Sequence, residues 1–501
     1  MKTILTTSLT TLLFSNIGFA QASVSKPNII FIMADDIGYG DISCYNQDSK
    51  TSTPNIDQLA QDGMRFTDAH SVAALSSPSR YGLLTGRYSF RSRLKSGVLG
   101  KNADPLIEAN RLTVGKLLQQ NGYNTACFGK WHLGVTWTRD NDGNIDLSKQ
   151  IKNGPITRGF DYYFGINMNN SAFFIENDMA VEVPSVPKPP EMYGNEELIC
   201  DGWKYENLLP TLSNKVIEYI KNPDEQYRNS DKPFFIYYAA NTVHTPIAPV
   251  DEFKGSSKAH LYGDFIQQFD WEIGRILETL EEENITENTL IIFTSDNGPM
   301  HWDGTNMQGP LNSIFKYDHN PSYIFRGKKS DIHEAGHRIP FIVRWPAQTP
   351  KNTVSDELIS HVDFMATCAA IIGENLPAGA GEDSHNFLPV FKGEKLEKPV
   401  RNYLINISGG GKLALRMGNW KFIEAGGSGG FTAPKSDAEA EALGLPPIQL
   451  YNLEDDIGET INLQDKYPEK LAEMRAILDS IRFSSSNSVA NNEIYTEKLS
   501  Q

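Results

Sequence analysis

The chemistry-bearing residues fall into acidic and basic sets, each placed beside an apolar run. Asp35-Asp36 follows Ile29–Ala34, and Asp296-Asn297 follows Leu290–Thr294. Near-continuous apolar runs of this length read as strands buried on both faces of a parallel sheet. In open α/β sheets, ligands bind at the C-terminal ends of such strands. Asp and Asn oxygens from two strand ends suit a hard cation, Ca2+ or Mg2+, and the absence of a nearby Cys or multi-His cluster disfavours zinc. The basic set is Lys130 and His132 on Gly129–Gly134, His244 on Asn241–Pro246, and Lys329 on Arg326–Ser330. Each adjoins a predicted strand, so all can converge on one sheet edge. Taken singly, each has a plainer reading: Asp-Asn-Gly is a common turn, lysines usually decorate a surface, and a lone histidine is more often structural.

The third element is Leu75-Ser76-Ser77-Pro78-Ser79-Arg80-Tyr81-Gly82-Leu83-Leu84-Thr85-Gly86-Arg87. Pro78 suits the first position of a helix, where its missing N–H costs nothing. That places Ser76 and Ser77 just ahead of the helix, beside unpaired N–H groups that favour an anion. Arg80 in the first turn adds two parallel donors for an oxyanion.

This stretch resembles the signature C/S-x-P-S-R-x-x-L-L-T-G-R of type I sulfatases in the alkaline phosphatase superfamily, and matches it at every defined position. The resemblance extends to Gly129-Lys130-Trp131-His132-Leu133-Gly134, to His244-Thr245-Pro246, and to Arg326-Gly327-Lys328-Lys329 with Glu334 and Gly336; Ala335 departs from the usual second glycine. It implies that Ser76 is oxidised to formylglycine by a serine-oxidising maturase, and that the hydrated aldehyde attacks sulfur. It further implies a Ca2+ site (Mg2+ as the alternative) of Asp35, Asp36, Asp296 and Asn297 beside the Ser76 side chain. Arg80, Lys130 and Lys329 would hold charge on the sulfonyl oxygens, His244, alone or with Lys329, would protonate the departing alcohol, and His132 would remove the proton that expels sulfate. The implied substrate is a sulfated carbohydrate of glycosaminoglycan, mucin or algal origin, with galactose or N-acetylgalactosamine sulfate as the first guess. The rivals are a phosphomonoesterase or phosphodiesterase of the same superfamily, and a catalytically dead protein that binds sulfated glycan.

The elements that position these residues alternate. Strands are expected at Pro27–Ala34, Asn124–Phe128, Phe234–Ala240, Leu290–Thr294 and Phe341–Val343. Helices are expected at Ile56–Gly63, Leu112–Gln120 and Tyr262–Leu280; the last puts Phe265, Phe269, Ile273, Ile276 and Leu280 on one face. This is an α/β fold with a mostly parallel sheet, which the resemblance sharpens to an alkaline-phosphatase-like α/β/α sandwich. Residues 134–231 read as irregular insertions near the site mouth. Past a charged boundary near Lys392–Lys398 come short antiparallel strands at Tyr403–Ile407, Lys412–Met417, Trp420–Ile423 and Gln449–Leu453, then a helix at Pro468–Ile481. The expected division is a signal peptide over 1–22, a catalytic domain over 23–395, a C-terminal antiparallel-sheet subdomain over 396–485, and a disordered tail over 486–501.

Composition bounds the rest. The 501 residues are 40% hydrophobic and 22% charged, as in globular proteins. A formal charge of −16 argues against a nucleic-acid partner and requires any anion site to be locally basic. Met1–Ala22 has the charge, apolar middle and small-residue end of an export signal, too short and interrupted for a membrane span; a periplasmic or secreted location in a Gram-negative bacterium follows. Cys44, Cys127, Cys200 and Cys368 are too dispersed for zinc; an oxidising compartment allows one or two disulfides whose pairing the sequence does not assign, and buried free thiols are the favoured reading. Two motif matches are accidental: Gly426-Gly427-Ser428-Gly429-Gly430 follows no buried strand as a nucleophile elbow must and reads as a flexible turn. His333-Glu334-Ala335-Gly336-His337 is opposed as a zinc-protease helix by Gly336 and Pro340, leaving His333 and His337 as candidates to line the substrate pocket.

Overall fold

The computed structural model describes residues 26–484. The apolar run becomes the strand Asn28–Asp35, buried at every position after Asn28. It pairs in parallel with Phe234–Val243 on one side and Thr289–Ser295 on the other. Asn124–Lys130 and Tyr162–Ile166 continue the parallel run beyond Phe234–Val243. These five strands form the middle of a ten-stranded sheet whose next strands are antiparallel, Phe341–Arg344 on one flank and Ile175–Glu176 on the other.

The first strand shows why helices cover both faces. Its side chains alternate, as strand geometry requires. Ile29, Phe31 and Met33 pack with Leu83, Leu84, Leu117 and Met365. Ile30, Ile32 and Ala34 pack with Ile56, Leu212, Phe265 and Ile276 from the opposite layer. The α/β/α sandwich follows from that double burial.

A separate four-stranded antiparallel sheet comprises Leu404–Ile407, Leu413–Met417, Trp420–Ile423 and Gln449–Asn452. The helix Pro468–Phe483 packs Met474, Leu478 and Ile481 against Leu415 and Phe422 of that sheet.

The segment 134–231 differs from expectation. It contains the fifth parallel strand, Tyr162–Ile166, and a fourteen-residue helix, Leu208–Lys221. Gly165 disguises the strand, yet its role is close packing: a Cβ there would lie 2.0 Å from the Gly129 carbonyl oxygen. Pro210 disguises the helix, although it sits in the first turn, where proline is tolerated. The four cysteines are free thiols, three buried and Cys44 partly so. Among the described residues no helix is long and apolar enough to cross a membrane. The export signal over 1–22 and the tail over 486–501 lie outside the described residues.

Candidate active site

All five parallel strands end on the same edge, and each delivers side chains there. Asn28–Asp35 ends in Asp35 and leads to Asp36; Thr289–Ser295 leads to Asp296 and Asn297. Phe234–Val243 leads to His244, Asn124–Lys130 to His132, and Tyr162–Ile166 to Asn169. Asp36 and His132 take φ of +65° and +51° as the chain turns off the sheet. That left-handed conformation is costly for side-chain-bearing residues and collects at functional sites.

The helix expected to begin at Pro78 begins at Ser76, after an extended Leu75, and ends at Gly86 with φ +62°. Pro78 is its third residue, still within the first turn, whose N–H groups have no intrahelical partner. Ser76 is therefore inside the helix rather than ahead of it, and points at the strand ends. Its hydroxyl donates to Asp296 Oδ2 and lies 3.4 Å from Asp35 Oδ1, while Lys130 Nζ donates to it at 3.2 Å.

Around that hydroxyl, three acids alternate with three cations. Lys130 Nζ lies 2.6 Å from Asp35 Oδ2, Arg80 Nη2 lies 2.8 Å from Asp296 Oδ2, and Lys329 Nζ lies 2.7 Å from Asp36 Oδ2. Burial pushes the Asp35 carboxyl up, but Lys130, His244, Arg80 and Lys329 outweigh it and hold it well below the usual range. Burial dominates at Asp36 and Asp296, whose carboxyls are raised despite Lys329 and Arg80. Burial also lowers the Lys130 ammonium, whereas Asp36, Asp35 and Asp296 keep Lys329 raised against burial. Asn297 Nδ2 donates to Asp36 at 2.7 Å, while the buried Asn297 Oδ1 has no partner. Three buried carboxylates and an orphaned amide oxygen are donors that fit a hard divalent cation.

The two histidines have opposite tautomer constraints. His244 Nδ1 lies 2.7 Å from the Thr245 carbonyl oxygen, which only accepts, so Nδ1 carries the proton and Nε2 faces Asp36 at 3.9 Å. His132 Nε2 likewise donates to the Leu99 carbonyl at 3.0 Å, leaving the buried Nδ1 as an unpaired acceptor. Burial, reinforced by nearby lysine, lowers both; His244 falls to about 3.

A cavity of about 520 Å3 opens over these groups, lined by Ser76, Lys130, His132, His244 and Lys329, within the usual range of small-molecule sites. The structure thus brings the acids, cations and histidines of the expected sulfate site to one place, leaves out His333 and His337, and adds two residues. Asn169 Nδ2 donates to Asp35 Oδ2 at 2.8 Å; recognising the strand before it would have pointed to it. Phe431, at the end of the Gly-rich loop, lines the cavity mouth. That loop is pinned: Asp331 Oδ1 accepts from Phe431 N at 2.7 Å and Thr432 N at 3.0 Å. His333 and His337 do not line this cavity. His333 Nε2 contacts Gln449, and His337 contacts His70 and the Ile332 carbonyl, all buried behind it. Glu334–His337 forms a single helical turn, as Gly336 and Pro340 imply.

The sequence model of the family described as Sulfatase matches residues 27–374. An N-acetylgalactosamine-6-O-sulfatase of Bacteroides thetaiotaomicron is 35% identical, over 91% of this chain and 93% of that protein. Human arylsulfatase G is 30% identical, over 94% and 90%. A solved Bacteroides thetaiotaomicron structure, reported with the metabolism of multiple glycosaminoglycans, superposes with TM-score 0.79 at 34% identity, covering 92% of this chain and all of that one. With the family's sequence model spanning more than half of its length, this chain belongs to the sulfatase family, whose members hydrolyse sulfate esters.

Proposed function

We propose that this enzyme removes an O-sulfate from a carbohydrate, with 6-O-sulfated N-acetylgalactosamine as the first candidate, using formylglycine made from Ser76 by a serine-oxidising maturase. The observation that carries the reading is the Ser76 hydroxyl, set at a helix N-terminus among Asp296, Asp35 and Lys130 at the floor of the cavity. The substrate guess draws on the name of the 35% identical relative. Export through the segment 1–22 would bring the enzyme to glycans outside the cytoplasm.

The hydrated aldehyde would supply two hydroxyls, one to attack and one to lose the proton that expels sulfate, whereas the single hydroxyl of a plain serine is a weak nucleophile without an adjacent base. Asp35, Asp36, Asp296 and Asn297 would hold Ca2+ beside it, and that charge would favour the nucleophile's anionic form and offset the sulfate. Arg80, Lys130 and Lys329 already converge there, so their charges are preorganised for the sulfonyl oxygens rather than recruited during the reaction. His244 must carry a second proton, on Nε2, to donate to the leaving oxygen, because its Nδ1–H is committed to Thr245. An entering sulfate supplies the negative charge that favours that imidazolium. His132, with Nδ1 free to accept, takes the proton from the remaining hydroxyl on the residue-76 side chain.

Sulfate release from the 6-O-sulfated sugar tests the reading, and no release from it or any other sulfated sugar would sink it. His244→Ala separates roles in the same assay. It should cost about 10²–10⁴-fold on the sugar ester and far less on 4-nitrophenyl sulfate, whose leaving group needs little protonation. Equal losses on both esters would remove His244 as the acid.

Cation removal provides a second check. Exhaustive EGTA treatment should lower both activity and thermal midpoint, and Ca2+ should restore both. At a hundred times Kd the ion adds about 2.7 kcal/mol. Rescue by Zn2+ but not by Ca2+ would overturn the assignment.

A further inference from the structure

A second cavity, of about 580 Å3, lies directly beside the sulfate cavity. Three stretches of chain line both. Val98 faces the first and Lys101 the second; Met168–Asn170 faces the first, with Asn167 and Ser171 on the second; Tyr193–Asn195 faces the first and Glu196 the second. Consecutive residues are only about 3.8 Å apart, so the partition is one chain thick. It is closed by the Lys101–Glu196 ion pair at 3.1 Å, by Asn167 Nδ2 donating to the Lys101 carbonyl at 2.8 Å, and by a weaker 3.4 Å contact from Asn170 Nδ2 to Glu196 Oε1.

The lining of this second cavity is that of a sugar site. Trp137 and Phe173, with ring centroids 6.3 Å apart, give an apolar wall, and Asn102 and Asn144 give amides. Arg139 adds a cation. It is exposed, donates only to the Gly143 carbonyl at 2.8 Å, and forms no ion pair among the described residues. Of the other charges on the wall, Lys101 is paired with Glu196 at 3.1 Å, which leaves Glu197 as the one acid and Arg139 as the one cation free to meet an anion among the described residues. Its planar donors match a carboxylate or sulfate.

We propose that this cavity binds the anionic sugar adjoining the sulfated one, so that the natural substrate is an oligosaccharide or longer glycan rather than a free sulfated monosaccharide. The proposal rests on the carbohydrate sulfatase reading above. The sulfated ring would sit over Ser76, the glycan would pass across the Asn170–Glu196 partition, and the next residue's carboxylate or sulfate would meet Arg139. Because Arg139 takes no part in the sulfate site, it would alter specificity without altering the chemistry.

The test compares kcat/KM for 6-O-sulfated N-acetylgalactosamine with that for a tetrasaccharide in which the same sugar adjoins a uronate. The matured wild-type enzyme should favour the tetrasaccharide by about 10–100-fold, the gain of one charge-assisted contact. Arg139→Ala should bring the ratio close to one and Arg139→Glu below it, with the monosaccharide rate changed less than about twofold. Asn102→Ala should lower the tetrasaccharide rate alone. Equal wild-type rates on the two substrates, or a loss in Arg139→Ala that is the same on both, would overturn the second site while leaving the sulfatase reading intact. Turnover of neither, nor of any other sulfated sugar, would end both.

Discussion

Ser76→Ala should lower kcat/KM by on the order of 10⁵-fold or more, the scale of removing a covalent nucleophile. The loss should be equal on aryl and sugar sulfates, in contrast to His244→Ala, because both esters are attacked by the same nucleophile whatever the leaving group. Stability should change little. The hydroxyl contributes a hydrogen bond to Asp296, but Arg80 remains 2.8 Å from that carboxylate, so the cost is about 1 kcal/mol. The companion measurement is the mass of the peptide containing Ser76 from the native host, where loss of two hydrogens marks the aldehyde. Protein made without a serine-oxidising maturase should carry the full mass, fold normally and be inactive. Full mass in an active enzyme would overturn the aldehyde and favour direct serine chemistry.

How legible the site was depended on how cleanly each strand announced itself. Asn28–Asp35 and Thr289–Ser295 are unbroken apolar runs, so the acids at their ends were assigned to the sheet edge, and there they meet Arg80, Lys130 and Lys329. The helix His260–Glu282 was legible from its i, i+3, i+4 apolar face. Tyr162–Ile166 was hidden because Gly165 reads as a break, and Asn169 was lost with it. The packing that demands glycine is visible only across the ladder, where Gly165 opposes Gly129. The start of the Ser76 helix was displaced because proline was given the first position, although any position in the first turn serves it. Arg139 left no signal either, since its cavity is assembled from segments far apart in the chain.

Lys421→Met should be strongly destabilising although it lies outside the sulfate site, and its reason is equally invisible in sequence. In Trp420–Ile423, strand alternation puts Lys421 on the face of Ile423 and opposite Phe422, which would suit a half-exposed sheet. Instead both faces are buried. Phe422 packs under the C-terminal helix, while Ile423 packs with Ile332 from the catalytic region. Lys421 is completely buried, 3.0 Å from Glu334 Oε1 and 2.8 Å from Glu459 Oε1. Burial pushes both carboxyls up. Lys421, then His70, His337 and Arg338, outweigh it and hold Glu334 well below the usual range, whereas Glu459, with Glu334 beside it, stays raised. Removing the ammonium leaves two acids facing each other out of water, a loss of about 3–5 kcal/mol near neutral pH. Its pH dependence has a definite sign. The stability from the lowered Glu334 is present above the unfolded value and is lost as pH falls. In the variant Glu459 is raised further, so the folded state takes up a proton and the penalty is relieved on acidification. The gap in urea midpoint between the two proteins should therefore be widest near pH 7 and shrink toward pH 4. A gap that is constant across this range would mean that Lys421 acts by packing alone.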